Sequence, residues 1–344
     1  MKLSNLPKVT VFFGVLAVLY LIVIIANWGE PNNTMRVIFG FALASIAAVG
    51  LTRKLAINVE LATFFKWVHL FLAVLYMWGA AFGKWAKRGD PDEGALSADG
   101  GTGFGLIAII LGVGLIVLAL MRLAGRSKVL PGLGVEQLTV ILGFAAWMNV
   151  LAFVVGWLAT FEAGTGWGVV VAYFPASLIP QLGAITLSTT EPAADIADLD
   201  AGKRRAFSIA AILGGLGVAL FPFLAYISSG NISLTALEGK TGDSLSGPRL
   251  GYMLLMFGVV VAVAALMRLR PGGLAEPGPN ALVGHALLAI GVVAFLVPLA
   301  SLISIMRHSA DLSVGIGVWL GLLAGLALIG IAFVENRTRG AVAA

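Results

Sequence analysis

Few side chains in this sequence could do chemistry at membrane depth. His69 and His285 sit inside long apolar stretches, and two histidines on facing helices can hold a haem iron between them. At 1.5 Å rise per residue both fall in the same half of their stretches. A bis-histidine haem also needs glycine clearance beside the rings and partners for its propionates, and nothing in the sequence makes these two helices neighbours. The expectation is that both are hydrogen-bonded interhelical histidines and that the chain carries no cofactor, with a metal or haem at His69 and His285 as the alternative. The other deep polar groups are uncharged. Asn149 is one, and Gln181 stands beside Pro175 and Pro180, two residues that each lack an N–H and so free a backbone carbonyl one turn back. Pro222 and Pro298 interrupt two further apolar stretches. Asn149, Pro175, Pro180, Gln181, Pro222 and Pro298 therefore form a candidate solute path. The structural alternative is a set of proline kinks whose carbonyls are satisfied by neighbouring helices.

Other chemistry is excluded more firmly. With no cysteine there can be no disulfide, thiolate zinc site, iron–sulfur cluster or cysteine nucleophile. Asp90, Asp92, Glu93 and Asp99 cluster as oxygen ligands for calcium could, but their spacing matches no EF-hand and they read as a solvated loop. Asn32 with Thr34 and Asn231 with Ser233 form glycosylation sequons. No phosphate-binding loop, zinc-protease helix, nucleophile elbow or dinucleotide fingerprint is present, and no carboxylate pair is placed for acid–base work. The chain reads as not an enzyme. Glu60, Glu136, Glu162 and Arg307 fall at the ends of apolar stretches, and Lys66 can extend to the interface. A bundle so poor in buried charge has little means of coupling to an ion gradient.

What must position these residues follows from composition. The 344 residues are 59% hydrophobic and 11% charged, with a mean hydropathy of +0.99, whereas a soluble domain carries about a quarter charged residues. That excludes a soluble enzyme, a nucleic-acid-binding domain and a disordered chain. The fold class is an all-α, polytopic transmembrane helix bundle forming a single integral membrane domain over 1–344. Spans of about 20 apolar residues suit a bilayer core about 30 Å thick. Ten windows qualify, in five hairpins: Val9 to Asn27, Met35 to Thr52, Leu61 to Gly83, Phe104 to Met121, Leu138 to Phe161, Trp167 to Ser188, Phe207 to Ser228, Leu250 to Met267, Leu282 to Ile305 and Leu312 to Val334.

Lys and Arg resist translocation. Most of them, including Arg53, Lys54, Arg122, Arg126, Lys128, Lys203 to Arg205, Arg268, Arg270, Arg337 and Arg339, fall on the side that holds both termini. That side is assigned as cytoplasmic, and a Gly- and Ala-rich, cysteine-free chain suits a bacterial cytoplasmic membrane. Trp28, Trp78, Trp85, Trp157 and Trp167 fall at the opposite ends of spans, where indole rings favour the headgroup layer, and Trp67 anchors the near face. The loops Lys84 to Gly103 and Ser229 to Arg249 read as flexible and solvated.

Self-similarity is visible as well. Ala119-Leu120-Met121-Arg122-Leu123 and Ala265-Leu266-Met267-Arg268-Leu269 are identical pentapeptides closing the fourth and eighth spans. Small residues every fourth position recur in the second, sixth and tenth: Gly40, Ala44, Ala48; Gly168, Ala172, Ala176; Gly317, Gly321, Gly325. Four-span spacing preserves orientation, so the repeat is parallel, with units 9–128, 135–270 and a half-unit 281–339. Such faces let helix backbones approach closely, within the chain or against a second copy. The function expected is a non-catalytic scaffold or accessory subunit of a larger membrane complex, with lipid, other membrane subunits or itself as partners and no nucleic acid. The alternative is a channel or uniporter for a small or weakly polar solute.

Overall fold

The structure, a computed structural model, describes residues 59–83, 85, 104–130, 133–160, 166–190, 199–229, 232–237, 240–241, 245–246, 251–269, 277–308 and 313–342. The first two expected spans, with Gly40, Ala44 and Ala48, lie outside the described residues, as do Asp90, Asp92, Glu93, Asp99 and the sequon residues Asn32, Thr34 and Asn231. Eight helices are described: α1 (Val59–Phe82), α2 (Phe104–Leu123), α3 (Val135–Thr160), α4 (Trp167–Thr190), α5 (Ala201–Leu220), α6 (Gly251–Leu269), α7 (Pro277–His308) and α8 (Ile316–Val342). Six of them, all but α4 and α7, are long and apolar enough to cross a membrane. The proline-interrupted helices α4 and α7 hold shorter apolar stretches, Trp167–Gly183 and Leu287–Ile303.

The helices close into two rings of four. In the first, α1 packs on α2, α2 on α3, α3 on α4, and α4 returns to α1; in the second, α5, α6, α7 and α8 repeat that order, with α8 returning to α5. The rings meet where α7 lies against α3 and α2, and Phe144 of α3 meets Phe257 of α6 edge-on at 6.5 Å. Absent side chains allow these contacts. A Cβ on Gly83 would stand 2.3 Å from the Gly168 Cα, and one on Gly325 would stand 2.5 Å from the Phe295 N, so α1 meets α4, and α7 meets α8, backbone to backbone. The Gly317, Gly321, Gly325 face is thus filled from within the chain, by Ala225, Phe221, Pro298 and Phe295. Gly168, Ala172 and Ala176 are buried, the first two against Gly79 of α1 and Gly83 just past its end.

Two expectations change here. The seventh span was expected to run from Phe207 to Ser228 with Pro222 in its middle. Instead α5 ends at Leu220, Pro222 sits in a 3₁₀ turn (Phe221–Phe223), and the chain turns into a strand. Proline cannot donate to the ladder, and here it ends the helix rather than kinking it. The loop after it is also structured: β3 (Ala225–Ser229) pairs with β4 (Ile232–Thr235) on one side and with β7 (Ser313–Val314) on the other. Minor hairpins pair β1 (Lys128–Leu130) with β2 (Leu133–Gly134) and β5 (Lys240–Thr241) with β6 (Leu245–Ser246). Trp78 and Trp167 are exposed and in contact at 5.1 Å, as interfacial rings would be, but Trp85 is buried. Its indole N–H donates to Gly79 O at 3.1 Å and its ring meets Phe153 edge-on; a satisfied N–H lets the whole ring leave the surface.

Candidate functional site

The candidate site begins with the way α2 stops. Gly125 takes φ +71°, a conformation costly for any residue with a Cβ. Arg126 N then donates to Met121 O at 2.9 Å and Gly125 N to Arg122 O at 3.1 Å, which is the Schellman closure. It fixes Arg122 in the last turn, with its side chain turned into the ring and only 2% exposed. Three helices meet there. Arg122 Nη2 donates to Thr186 Oγ1 of α4, and Thr186 Oγ1 donates onward to Leu182 O at 2.5 Å. Arg122 Nε stands 2.8 Å from Glu136 Oε1 at the start of α3. At that distance the two charges pair, while Nη1 closes no hydrogen bond.

Further buried polar atoms without partners lie in the same ring. His69 of α1 is fully buried, lies within electrostatic reach of Arg122, and neither ring nitrogen has a hydrogen-bond partner among the described residues. Tyr76 is seven residues on, hence on the same face of α1 and about 10 Å further along. Its hydroxyl is buried beside the Asn149 side chain without closing a hydrogen bond to it. Asn149 donates from Nδ2 to Phe104 O at 3.0 Å and leaves Oδ1 unsatisfied. The Trp147 indole N–H, near Tyr173, also closes no bond. An unsatisfied buried polar group costs about 1–3 kcal/mol, so several together mark a place where water or solute completes the bonding.

The second ring is built differently at the matching place. Arg268, in the last turn of α6, donates from Nη2 to Glu335 Oε1 at 2.5 Å and from Nη1 to Oε2 at 3.2 Å, a two-pronged pair with both side chains wholly buried. Arg339 adds a bond to the same carboxylate at 2.9 Å. Gly284 of α7 makes room for it, since a Cβ there would lie 3.3 Å from Glu335 Oε1. In this ring too the buried Tyr226 hydroxyl lies near Ser301 without closing a hydrogen bond, and the Ser301 hydroxyl donates to Val297 O at 3.1 Å.

Of the residues singled out by sequence, Asn149 and His69 are among the first ring's buried polar groups. Pro175 and Pro180 are buried in α4, with Pro180 against Gly143 of α3. Gln181 Nε2 donates to Ser177 O at 2.6 Å within its own helix. Pro298 packs against Gly321. These prolines lie in two different rings and do not gather with Pro222 around one path. His285 is half-buried on α7, in the other ring from His69, and no group of three or more His, Asp or Glu among the described residues could hold a metal ion. Sequence reasoning counted Arg122, Arg268 and Arg339 only as basic residues of the cytoplasmic side, at the inner helix ends, loops and C-terminus, and Glu136 at a span end, and overlooked Tyr76, Thr186 and Glu335. A signal was present: Thr186 and Glu335 each lie five turns below the first glycine of a small-residue face, Gly168 and Gly317, on the side that packs inward. Comparison with known families, curated proteins and solved structures finds no match to this chain.

Proposed function

We propose that the chain is a non-catalytic, multi-pass membrane protein that passes a small polar solute through its first helix ring, with the second ring as its frame. The observation that carries this reading is the set of buried polar atoms without protein partners at His69, Tyr76, Asn149 and Arg122. Such groups are costly in a purely structural bundle; three more, Arg339 Nη1, Asn336 Nδ2 and the Tyr226 hydroxyl, lie in the second ring. On this reading the arginine ends of α2 and α6 face the cytoplasm of a bacterial cell, as the basic residues favour, and the remaining two spans bring the total to ten.

The two rings are proposed to descend from one four-helix unit, phased as 59–190 against 201–342. The shared pentapeptide closes the second helix of each, and the register that aligns Gly168 with Gly317 aligns Thr186 with Glu335, the residues that the pentapeptide arginines hold. A scaffold or accessory-subunit role is supported by the backbone-to-backbone closure of both rings. Flux separates the two readings. Purified chain in liposomes is expected to speed entry of at least one member of a panel of urea, glycerol, formate, nitrate and chloride, and Asn149→Leu is expected to slow it. A chain that passes none of these while remaining folded would leave only the scaffold reading.

A further inference from the structure

The outward faces of the two rings differ in kind. On α1 the exposed side chains Phe64, Trp67, Phe71, Val74, Trp78 and Phe82 recur every three or four residues, so they stand as one ridge along the helix. All but Val74 are aromatic. On α5 the exposed ridge is aliphatic, made by Ile209, Leu213, Leu216 and Leu220, as contact with lipid chains suits. The inward sides of α1 are taken, since α2 and α4 pack against them.

The chain supplies an occupant for the aromatic ridge. Met35 to Thr52, one of the two expected spans outside the described residues, is separated from Val59 at the start of α1 by the six residues Arg53 to Asn58. Such a connection reaches about 25 Å at most, and successive spans joined this closely run antiparallel as neighbours. Counted outward from a turn centred between Leu55 and Ala56, Trp67 falls opposite Ala44, Phe71 opposite Gly40 and Phe64 opposite Ala47. Each ring thus meets a residue with little or no side chain, which lets ridges enter grooves and helix backbones come close.

We propose that the aromatic ridge of α1 is the docking face for the chain's own segment Met35 to Thr52. A second copy of the chain competes for this face only at its own concentration, whereas the short connection keeps the segment beside α1. This docking holds whether or not the first ring conducts.

Because the sequence lacks cysteine, introduced disulfides report the docking. Full-length Ala44→Cys/Trp67→Cys in proteoliposomes is oxidised with copper phenanthroline and digested, and disulfide-linked peptides are read by mass spectrometry. An intrachain link between the Ala44 and Trp67 positions is expected, at least tenfold above that in Ala44→Cys/Leu213→Cys, whose second site lies on the aliphatic ridge of α5. Ala47→Cys/Phe64→Cys, one turn along in the same register, is expected to link as well and decides the matter should the first pair fail to fold. A disulfide joining two chains in Trp67→Cys alone would put a second copy on the ridge and overturn the docking. So would the absence of both intrachain links in folded protein, with Trp67→Cys reacting as fast as Leu213→Cys with a lipid-soluble maleimide, which would leave the ridge to lipid.

Discussion

The two rings end alike and differ in what their arginines hold. In the first, Arg122 reaches a threonine hydroxyl on α4 and pairs through Nε with a carboxylate on α3, and its Nη1 closes no hydrogen bond. In the second, Arg268 meets Glu335 through two bonds, and Arg339 closes on the same carboxylate. A buried ion pair contributes little beyond a well-packed apolar core, but breaking one is expensive because a charge is left alone. The second ring's arginine end is therefore held by its carboxylate, although Arg339 Nη1, Asn336 Nδ2 and the Tyr226 hydroxyl in that ring also close no hydrogen bond. The first leaves the Arg122 Nη1 donor and the Glu136 Oε2 acceptor without hydrogen bonds at its arginine end, and an incomplete polar network is where a protein accommodates something that is not part of itself.

The largest effect that could break this contrast lies at Glu335. Glu335→Leu strands Arg268 and should cost about 3–5 kcal/mol, visible as loss of folded protein in a detergent thermal melt. Thr186→Val, the corresponding change in the first ring, should cost about 1 kcal/mol, since it removes one bond to a group that keeps its charge partner. Equal costs would erase the difference between the rings. Next comes Gly325→Val, which forces α8 off the Phe295 backbone and should cost about 1–3 kcal/mol by overpacking, with no effect on solute selectivity. Gly125→Ala should cost about 1 kcal/mol by straining a positive φ and, by loosening the last turn of α2, should alter flux as well as stability.

The smallest effect lies between the rings. Asp200 caps α5 by accepting Lys203 N–H at 2.8 Å, and that bond, with the Lys203 ammonium beside it, holds the Asp200 carboxyl below the ordinary carboxylate range. A depressed carboxyl stabilises the fold fully above its unfolded value and loses that contribution as pH falls through the folded one. Wild type should therefore lose a little stability below about pH 4, and Asp200→Asn should flatten that slope in a melt series from pH 3 to 6.

How much of this could be read in the sequence depends on what each feature rests on. Hydropathy located α1 to α4 and α6 to within a few residues, because span length and apolar character are local properties, whereas α8 starts at Ile316 and runs on to Val342, past the expected end at Val334. It misjudged α5, where Pro222 ends the helix, and the loop after it, whose strand pairing with Ser313 and Val314 depends on residues far along the chain. Charge position was misleading at Arg122, Arg268 and Arg339. Each stands beside a loop and is counted rightly as basic, but its burial is decided by Thr186, Glu136 or Glu335 on another helix or another turn. Of the solute-path candidates, Asn149 was found by depth. Tyr76 was not, since a tyrosine in an apolar span looks like core until its hydroxyl is seen without a partner.

The absence of cysteine allows a direct test of whether the interior of the first ring meets water and that of the second does not. Asn149→Cys and Ser301→Cys each place one thiol at a buried polar position, one per ring, and a small water-soluble methanethiosulfonate reagent reports access in intact proteoliposomes. Modification of Asn149→Cys at least tenfold faster than Ser301→Cys, slowed by the conducted solute, is the result predicted here. Equal rates, or a protected thiol at Asn149→Cys, would contradict it.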